Sequence, residues 1–346
     1  MMRAIKQRAG SLACTAICLL TVVTAAHAEV PTNTQLIAAM PPATESVLIR
    51  RYSALASEES ALKNEAQQTI DGLGDVASEE ERNALLNVVL RYVAMADPVV
   101  HAEGGSDFTR ITGDPGGIGV GNYNSRSIWC VERSLDRLKK RLAEQRDLSG
   151  DVKTFTLDDV PAYETEVRRH VATDDKVTPV QEKRFVAFPS DHCVVITEDR
   201  NELEQILTGL KSKAPEVPEK WRVPTAGLEL QSAIVLLRRY DPQNELDYYS
   251  PVSPKKPAFQ RVNIESVALV LPSVNRLAFR IKCISEEPRK AVVYFACHTL
   301  RQEAYRWKTN VSDVGFEAEV AAIDENRDVA YPMLVLYMLF GPNVFI

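Results

Sequence analysis

The stretch KRFVAFPSDHCVVITEDRNELEQILTGL, residues 183–210, decides the fold class of this chain. Residues 184–188 are β-prone, Pro189-Ser190-Asp191 supplies turn chemistry, and residues 193–197 form a second, β-branched run. The two runs read as a hairpin. Thr197 or Asp199 then caps a helix that carries Leu203, Ile206, Leu207 and Leu210, the i, i+3, i+4, i+7 stripe of a half-buried helix. The unit is strand, turn, strand, helix. It speaks to fold and hardly at all to chemistry.

Working outward toward the N-terminus, residues 45–52 (ESVLIRRY) read as a strand ending in two arginines, preceded by a polar, Pro-rich lead-in over residues 29–42. Between that strand and the hairpin the pattern is helical, roughly over residues 57–146. Ser57 caps one helix. Ser78-Glu79-Glu80-Glu81 is a capping-box signature ahead of a second, with Leu85, Val88, Val89 and Tyr92 on one side and Asp97-Pro98 as its stop. Residues 102–124 read as a long Gly-rich loop, and Ser127 starts a third helix with Val131, Leu135, Leu138 and Leu142 facing inward. Short β-like runs return over residues 155–171.

Toward the C-terminus, residues 211–224 (KSKAPEVPEKWRVP) place three prolines among charges, the composition of a linker. Strands are expected at residues 232–240, 266–271, 277–284 and 315–323, and Ser285-Glu286-Glu287-Pro288 starts a helix. Residues 329–346 carry no charge and read as a short buried helix and a β-like tail, with an anchor as the alternative. Two echoes link the halves: Val47-Leu48-Ile49-Arg50-Arg51-Tyr52 with Val235-Leu236-Leu237-Arg238-Arg239-Tyr240, and Phe188-Pro189-Ser190-Asp191-His192 with Leu271-Pro272-Ser273-Val274-Asn275. They point to a degenerate internal duplication. The expected fold is therefore α+β, with two lobes of antiparallel strands packed on helices. Residues 29–210 form the first lobe with its helical insertion, residues 211–224 the linker and residues 225–346 the second lobe.

The opening Met40-Pro41-Pro42-Ala43-Thr44-Glu45-Ser46-Val47-Leu48, together with VAFPSDHCVVITEDRNELEQIL, resembles secreted bacterial proteins of unknown function. Their mature part opens on a Leu-Pro-Ala-Asp-Thr-like stretch followed by strand-strand-helix units. The resemblance implies an α+β envelope or extracellular protein and brings no catalytic residues.

Composition narrows the partners. The chain has 41 Lys and Arg against 47 Asp and Glu, a formal charge of −6, and no basic tract. Bulk charge of this sign argues against nucleic acid and gives no strong membrane-surface signal. The first 28 residues have the form of a secretory signal: Arg3, Lys6 and Arg8, an apolar run over residues 12–25, and Ala26-His27-Ala28 as the cleavage site. Export to the periplasm or beyond, with cleavage after Ala28, is the expectation. Cys130, Cys193, Cys283 and Cys297 remain in the mature chain. Disulfides and buried free thiols both suit them, and four cysteines allow three full pairings. No zinc spacing, Gly-x-Ser-x-Gly elbow or His-Glu-x-x-His helix occurs, and no cofactor or metal is expected.

The remaining candidates are few. His192 neighbours Cys193, and His298 neighbours Cys297, but adjacent residues on a strand point to opposite faces, and adjacency on a helix likewise keeps two side chains apart. The glycines of residues 113–121 lack the preceding strand and the following Lys-Ser/Thr of a phosphate loop, so they read as a surface loop. Arg50, Arg51, Arg238 and Arg239 recur at matched positions, and an inward-pointing arginine seeks a carboxylate or an anionic ligand. The expected function is that of an exported, non-catalytic binding or structural protein with a protein or small-anion ligand. The alternatives are a secreted enzyme, such as a hydrolase, with a site at the lobe interface, and a membrane-attached envelope component.

Overall fold

In the deciding stretch the expected unit forms. Strand β6 (Lys176–Ser190) turns through Asp191 and His192 into β7 (Cys193–Thr197), and α4 (Arg200–Leu210) follows. Asp199 is the cap: its carboxylate accepts from the backbone N–H groups of Asn201 and Glu202. Leu203, Ile206 and Leu207 face the core. The computed structural model describes residues 30–52, 83–110, 121–144, 148–173, 176–240, 264–295 and 304–324, with Val329, Pro332 and Leu336. The signal sequence, the helices expected near Ser57 and Ser78, residues 113–120 of the Gly-rich stretch, Cys297, His298 and most of the uncharged tail lie outside these residues.

Before the hairpin come α1 (Asn33–Ala39), β1 (Ser46–Arg51), α2 (Leu85–Met95), β2 (Pro98–Arg110), β3 (Gly121–Val131), α3 (Asp136–Ala143), β4 (Lys153–Leu157) and β5 (Val160–Thr173). After α4 come α5 (Glu219–Thr225), β8 (Ile234–Arg239), β9 (Ile264–Ser273), β10 (Arg276–Cys283), α6 (Glu286–Phe295), β11 (Tyr305–Val311) and β12 (Gly315–Ala322). The twelve strands join in one antiparallel sheet, ordered β11-β12-β10-β9-β8-β1-β2-β3-β7-β6-β5-β4. The α+β class holds, and residues from Pro31 onward form one unit. The strands expected in two lobes meet where β1 pairs with β8.

That seam has local two-fold symmetry. Leu48 pairs with Leu236, flanked by Val47 with Leu237 and Ile49 with Val235, so the two Arg-Arg-Tyr segments pair about equivalent residues, the second of each. The halves also share a strand plan. In each, a three-strand meander is followed by a helix, and the returning strands end beside the third: β7 beside β3, β12 beside β10. The Pro-Ser hairpins do not share a place in that plan. Pro189 precedes the β6–β7 turn, and Pro272 precedes the turn of β9–β10.

Helices cover both faces. On one face α1, α4 and α5 close a core that crosses the seam. It joins Ile49, Ala102 and Ile128 of the first half to Val235 and Val270 of the second, with Leu203, Ile206 and Leu207 of α4 packed on it. On the opposite face α2 and α3 cover the first half through Val88, Val89, Leu138 and Leu142. In the second half α6 contributes Val292 to that face, joined by Val329 and Leu336. Strands covered on both sides are apolar at nearly every position, as β7 is, whereas β10 near the end of the sheet alternates.

Four local expectations change. The lead-in holds α1, whose N-cap Thr32 and Gln35 make a reciprocal capping box. The expected loop over residues 102–124 is largely the paired strands β2 and β3, where Gly104 lets Met40 and Arg126 approach closely. Residues 127–131 belong to β3, because the β-prone Ile128, Trp129, Cys130 and Val131 find partners on β2 and β7, and α3 begins only at Asp136. The expected linker ends in α5, whose Trp221 is wholly buried in the shared core.

Candidate ligand-binding groove

The four arginines stand on the central pair of strands but do not converge. Successive strand residues alternate faces, so Arg50 and Arg51 point to opposite sides. Register sets Arg50 opposite Ile234 and Arg238 opposite Ser46, at opposite ends of the pairing.

Each arginine has its own surroundings. Arg51 donates from Nε to Asn33 Oδ1 at 2.6 Å and also to the Pro31 carbonyl. Asn33 in turn donates to the carbonyls of Leu230 and Ser232, so Arg51 anchors the start of α1. Burial lowers the pKa of its guanidinium below the ordinary value. Arg50 lies 3.4 Å from His101 Nδ1, and His101 stacks on Trp129 with ring centroids 3.6 Å apart. Burial, then the Arg50 charge, pushes the His101 imidazole well below its usual range, which leaves Nδ1 free to accept. Arg238 is buried with its guanidinium 4.8 Å from the centre of the Tyr240 ring.

Arg239 differs from the other three. It is exposed, and among the described residues no carboxylate pairs with it. It stands at the edge of an open groove of about 1060 Å³. One wall is the end of α1 and the turn after it, with Ala38, Ala39, Met40, Pro41 and Pro42. The second is α4, through Gln205, Thr208 and Gly209, and the third is the start of α5 with Pro218 and Lys220. The lining is mostly apolar. Exposed Glu204 and Glu219 stand on its rim.

Close packing gives the groove its shape. A Cβ on Gly209 would sit 2.6 Å from Ala39 Cα, so only glycine lets α4 approach α1 this closely. Lys220 ties α5 to the turn by donating to the carbonyls of Pro42 and Thr44. Its ammonium is 5.5 Å from the Trp221 ring centre. Burial, followed by the charges of Arg239 and Arg126, lowers the Lys220 amine to about 8, against a smaller opposing pull from the Glu45 carboxylate. Beneath lies Arg126, fully buried, donating to Thr44 Oγ1 and Ser106 Oγ and paired with Glu202 at 3.2 Å.

Among the described residues no group of three or more His, Cys, Asp or Glu is arranged to hold a metal ion. No described helix is long and apolar enough to cross a membrane, which says nothing of strands. Sequence reading had Arg239 but missed Lys220, which it placed in a linker, and the α1 wall. The Thr32-x-x-Gln35 capping box was the available signal for that wall.

No protein-family model matches this chain, and no curated protein matches it. Among solved structures it is similar to one described as "Structure of crystal form I of TP0453", at 10% identity and a TM-score of 0.41, over 90% of this chain and 99% of that one. At that score the likeness carries no argument about fold or function.

Proposed function

We propose that this chain is an exported, non-catalytic binding protein, and that its ligand lies in the groove between α1, α4 and α5. The ligand class is an apolar body bearing an anionic group. The observation that carries this reading is the Arg239 guanidinium, paired with no described carboxylate, beside Lys220 at the edge of an apolar surface. The Arg239 charge raises the cost of charging Lys220, an anion between them offsets that cost, and the apolar walls supply area to bury. The groove is open, and its two carboxylates, Glu204 and Glu219, are exposed to solvent, which supports a binding role over an enzyme's enclosed acid–base set. Export rests on the basic start, apolar run and Ala26-His27-Ala28 of the sequence.

An anilinonaphthalene sulfonate tests the groove, since it combines a sulfonate with an apolar body. Titration should show one saturable site, and Arg239→Ala should weaken it by about tenfold, the loss of one charge-assisted hydrogen bond. Unchanged affinity in that variant overturns the reading. The Lys220 amine at about 8 adds a sign. An anion favours the charged amine, so binding should weaken as pH rises from about 7 to about 9, measured in the same titration. Amino-terminal sequencing of exported protein should begin at Glu29, and recovery of the uncut chain alone would sink the export reading.

We also infer that the halves arose by internal duplication. The pairing of the two Arg-Arg-Tyr segments about Leu48 and Leu236 supports it, as does the common strand plan. The equivalences are β1 with β8 and β3 with β10; the Pro-Ser hairpins fall outside them.

A further inference from the structure

We infer that Cys130 and Cys193 form a disulfide that ties β3 to β7 in the exported protein. This rests on the export reading for its oxidising compartment, and on geometry for the choice of partners. The two residues are direct cross-strand partners, buried, with their sulfurs 3.6 Å apart. The Val131 N–H donates to the His192 carbonyl at 2.9 Å, which marks Cys130 and Cys193 as a non-hydrogen-bonded pair. At such pairs the strands bring side chains closest, within the separation a disulfide spans. Rotation of the side chains brings the sulfurs together without moving either strand. Among the three full pairings open to the four cysteines of the mature chain, this geometry selects the one that includes Cys130–Cys193. Cys283 lies on β10, on the far side of the seam.

The step needs a disulfide-bearing oxidant. A cysteine thiolate attacks the oxidant's disulfide and expels one thiol. The second cysteine thiolate then attacks the protein sulfur of the mixed disulfide, forms the Sγ–Sγ bond and expels the second thiol. Two electrons and two protons pass to the oxidant. The hydrogen bond to Cys130, then burial, holds the Cys193 thiol well above its ordinary range, so Cys193 ionises little and reacts slowly near neutral pH.

The test uses the purified, folded mature chain held with oxidised glutathione at a pH of about 8.5, where more thiolate is present, then acid-quenched, alkylated and digested with trypsin. The expected product links SIWCVER (residues 127–133) to FVAFPSDHCVVITEDR (residues 185–200) at the summed mass less two hydrogens. Because the crosslink joins residues 63 apart in sequence, the melting temperature should rise by about 5–10 °C over the reduced protein. Recovery of both peptides fully alkylated, or of either one linked to the Cys283 or Cys297 peptide, overturns the pairing. Protein taken from the producing cells separates the two readings. A pair that forms with glutathione while the cellular chain is uncut and reduced leaves the pairing standing and removes export.

Discussion

On the face of the sheet that carries α1, α4 and α5, the two halves handle charge in opposite ways. In the first half Arg126 is sealed beneath Met40 and paired with Glu202, whose side chain is only 17% exposed. In the second half the same face carries Arg280 with Glu317 at 2.7 Å and Lys282 with Glu265 at 2.7 Å, all partly open to solvent. The exposed pairs are the shorter, 2.7 Å against 3.2 Å for Arg126 with Glu202, yet they contribute less. Exposed pairs of this kind contribute about 0–1 kcal/mol, whereas removing one member of a buried pair costs about 3–5 kcal/mol. The difference follows from where the helices lie. Two helices and a turn cover the first half, and over the second, among the described residues, α5 packs on β9 and β10.

The back face sharpens the contrast and gives the largest expected effect. There α2 and α3 close the first half, while the second half relies on α6 together with Val329 and Leu336 of the C-terminal stretch. Ending the chain at Asp328 removes both of these buried side chains, a loss of about 3–6 kcal/mol. That is comparable with the whole stability of a domain. The shortened chain should be insoluble or lack a cooperative melt; a soluble product melting near the full-length temperature would show that the tail is dispensable.

Arg126→Ala against Glu317→Ala is the direct comparison of the two charge environments. The first should cost about 3 kcal/mol in urea unfolding, and the second under about 1 kcal/mol. Equal costs would mean that burial does not distinguish the two halves.

Gly209→Ala probes the shape of the first half with a smaller change. Alanine improves helix propensity by about 1 kcal/mol, but its Cβ meets Ala39 at 2.6 Å. Separating α1 from α4 should outweigh that gain, for a net loss of about 1–2 kcal/mol and weaker sulfonate binding. A stabilised variant with unchanged binding would show that the helix contact does not shape the groove.

Much of the local structure was legible. Residues 184–210 announced β6, β7 and α4 because short apolar, β-branched runs give way to an apolar period of about 3.6 after Asp199, a good N-cap. The strands at Val235 and Leu269 were legible for the same reason, and so was the buried side of α2 at Leu85, Val88 and Val89. Residues 102–124 misled because glycine and polar residues weaken a strand signal, while the partners that stabilise β2 come from β1 and β3. Residues 211–224 misled because prolines and charges outweighed a single tryptophan, and Trp221 has meaning only once the core beneath it exists.

For the candidate site, sequence supplied one residue of the proposed pair. Arg239 was visible as a repeated arginine, yet nothing local separated it from Arg50, Arg51 and Arg238. Alternation on the strand and coverage by helices decided that Arg51 would hold Asn33, that Arg238 would lie over Tyr240, and that Arg239 would face the groove. The same holds for sulfur. Four cysteines in a chain give three pairings by counting, and only strand register brings Cys130 opposite Cys193. Sequence by itself determined the α+β class, the capped α4 and the echo of the Arg-Arg-Tyr strands. Tertiary structure alone decided the single sheet, the coverage of its faces and the meeting of Lys220 with Arg239. The physical reason is range: caps, turns and periodicity act within a few residues, whereas burial, register and charge proximity join residues far apart along the chain.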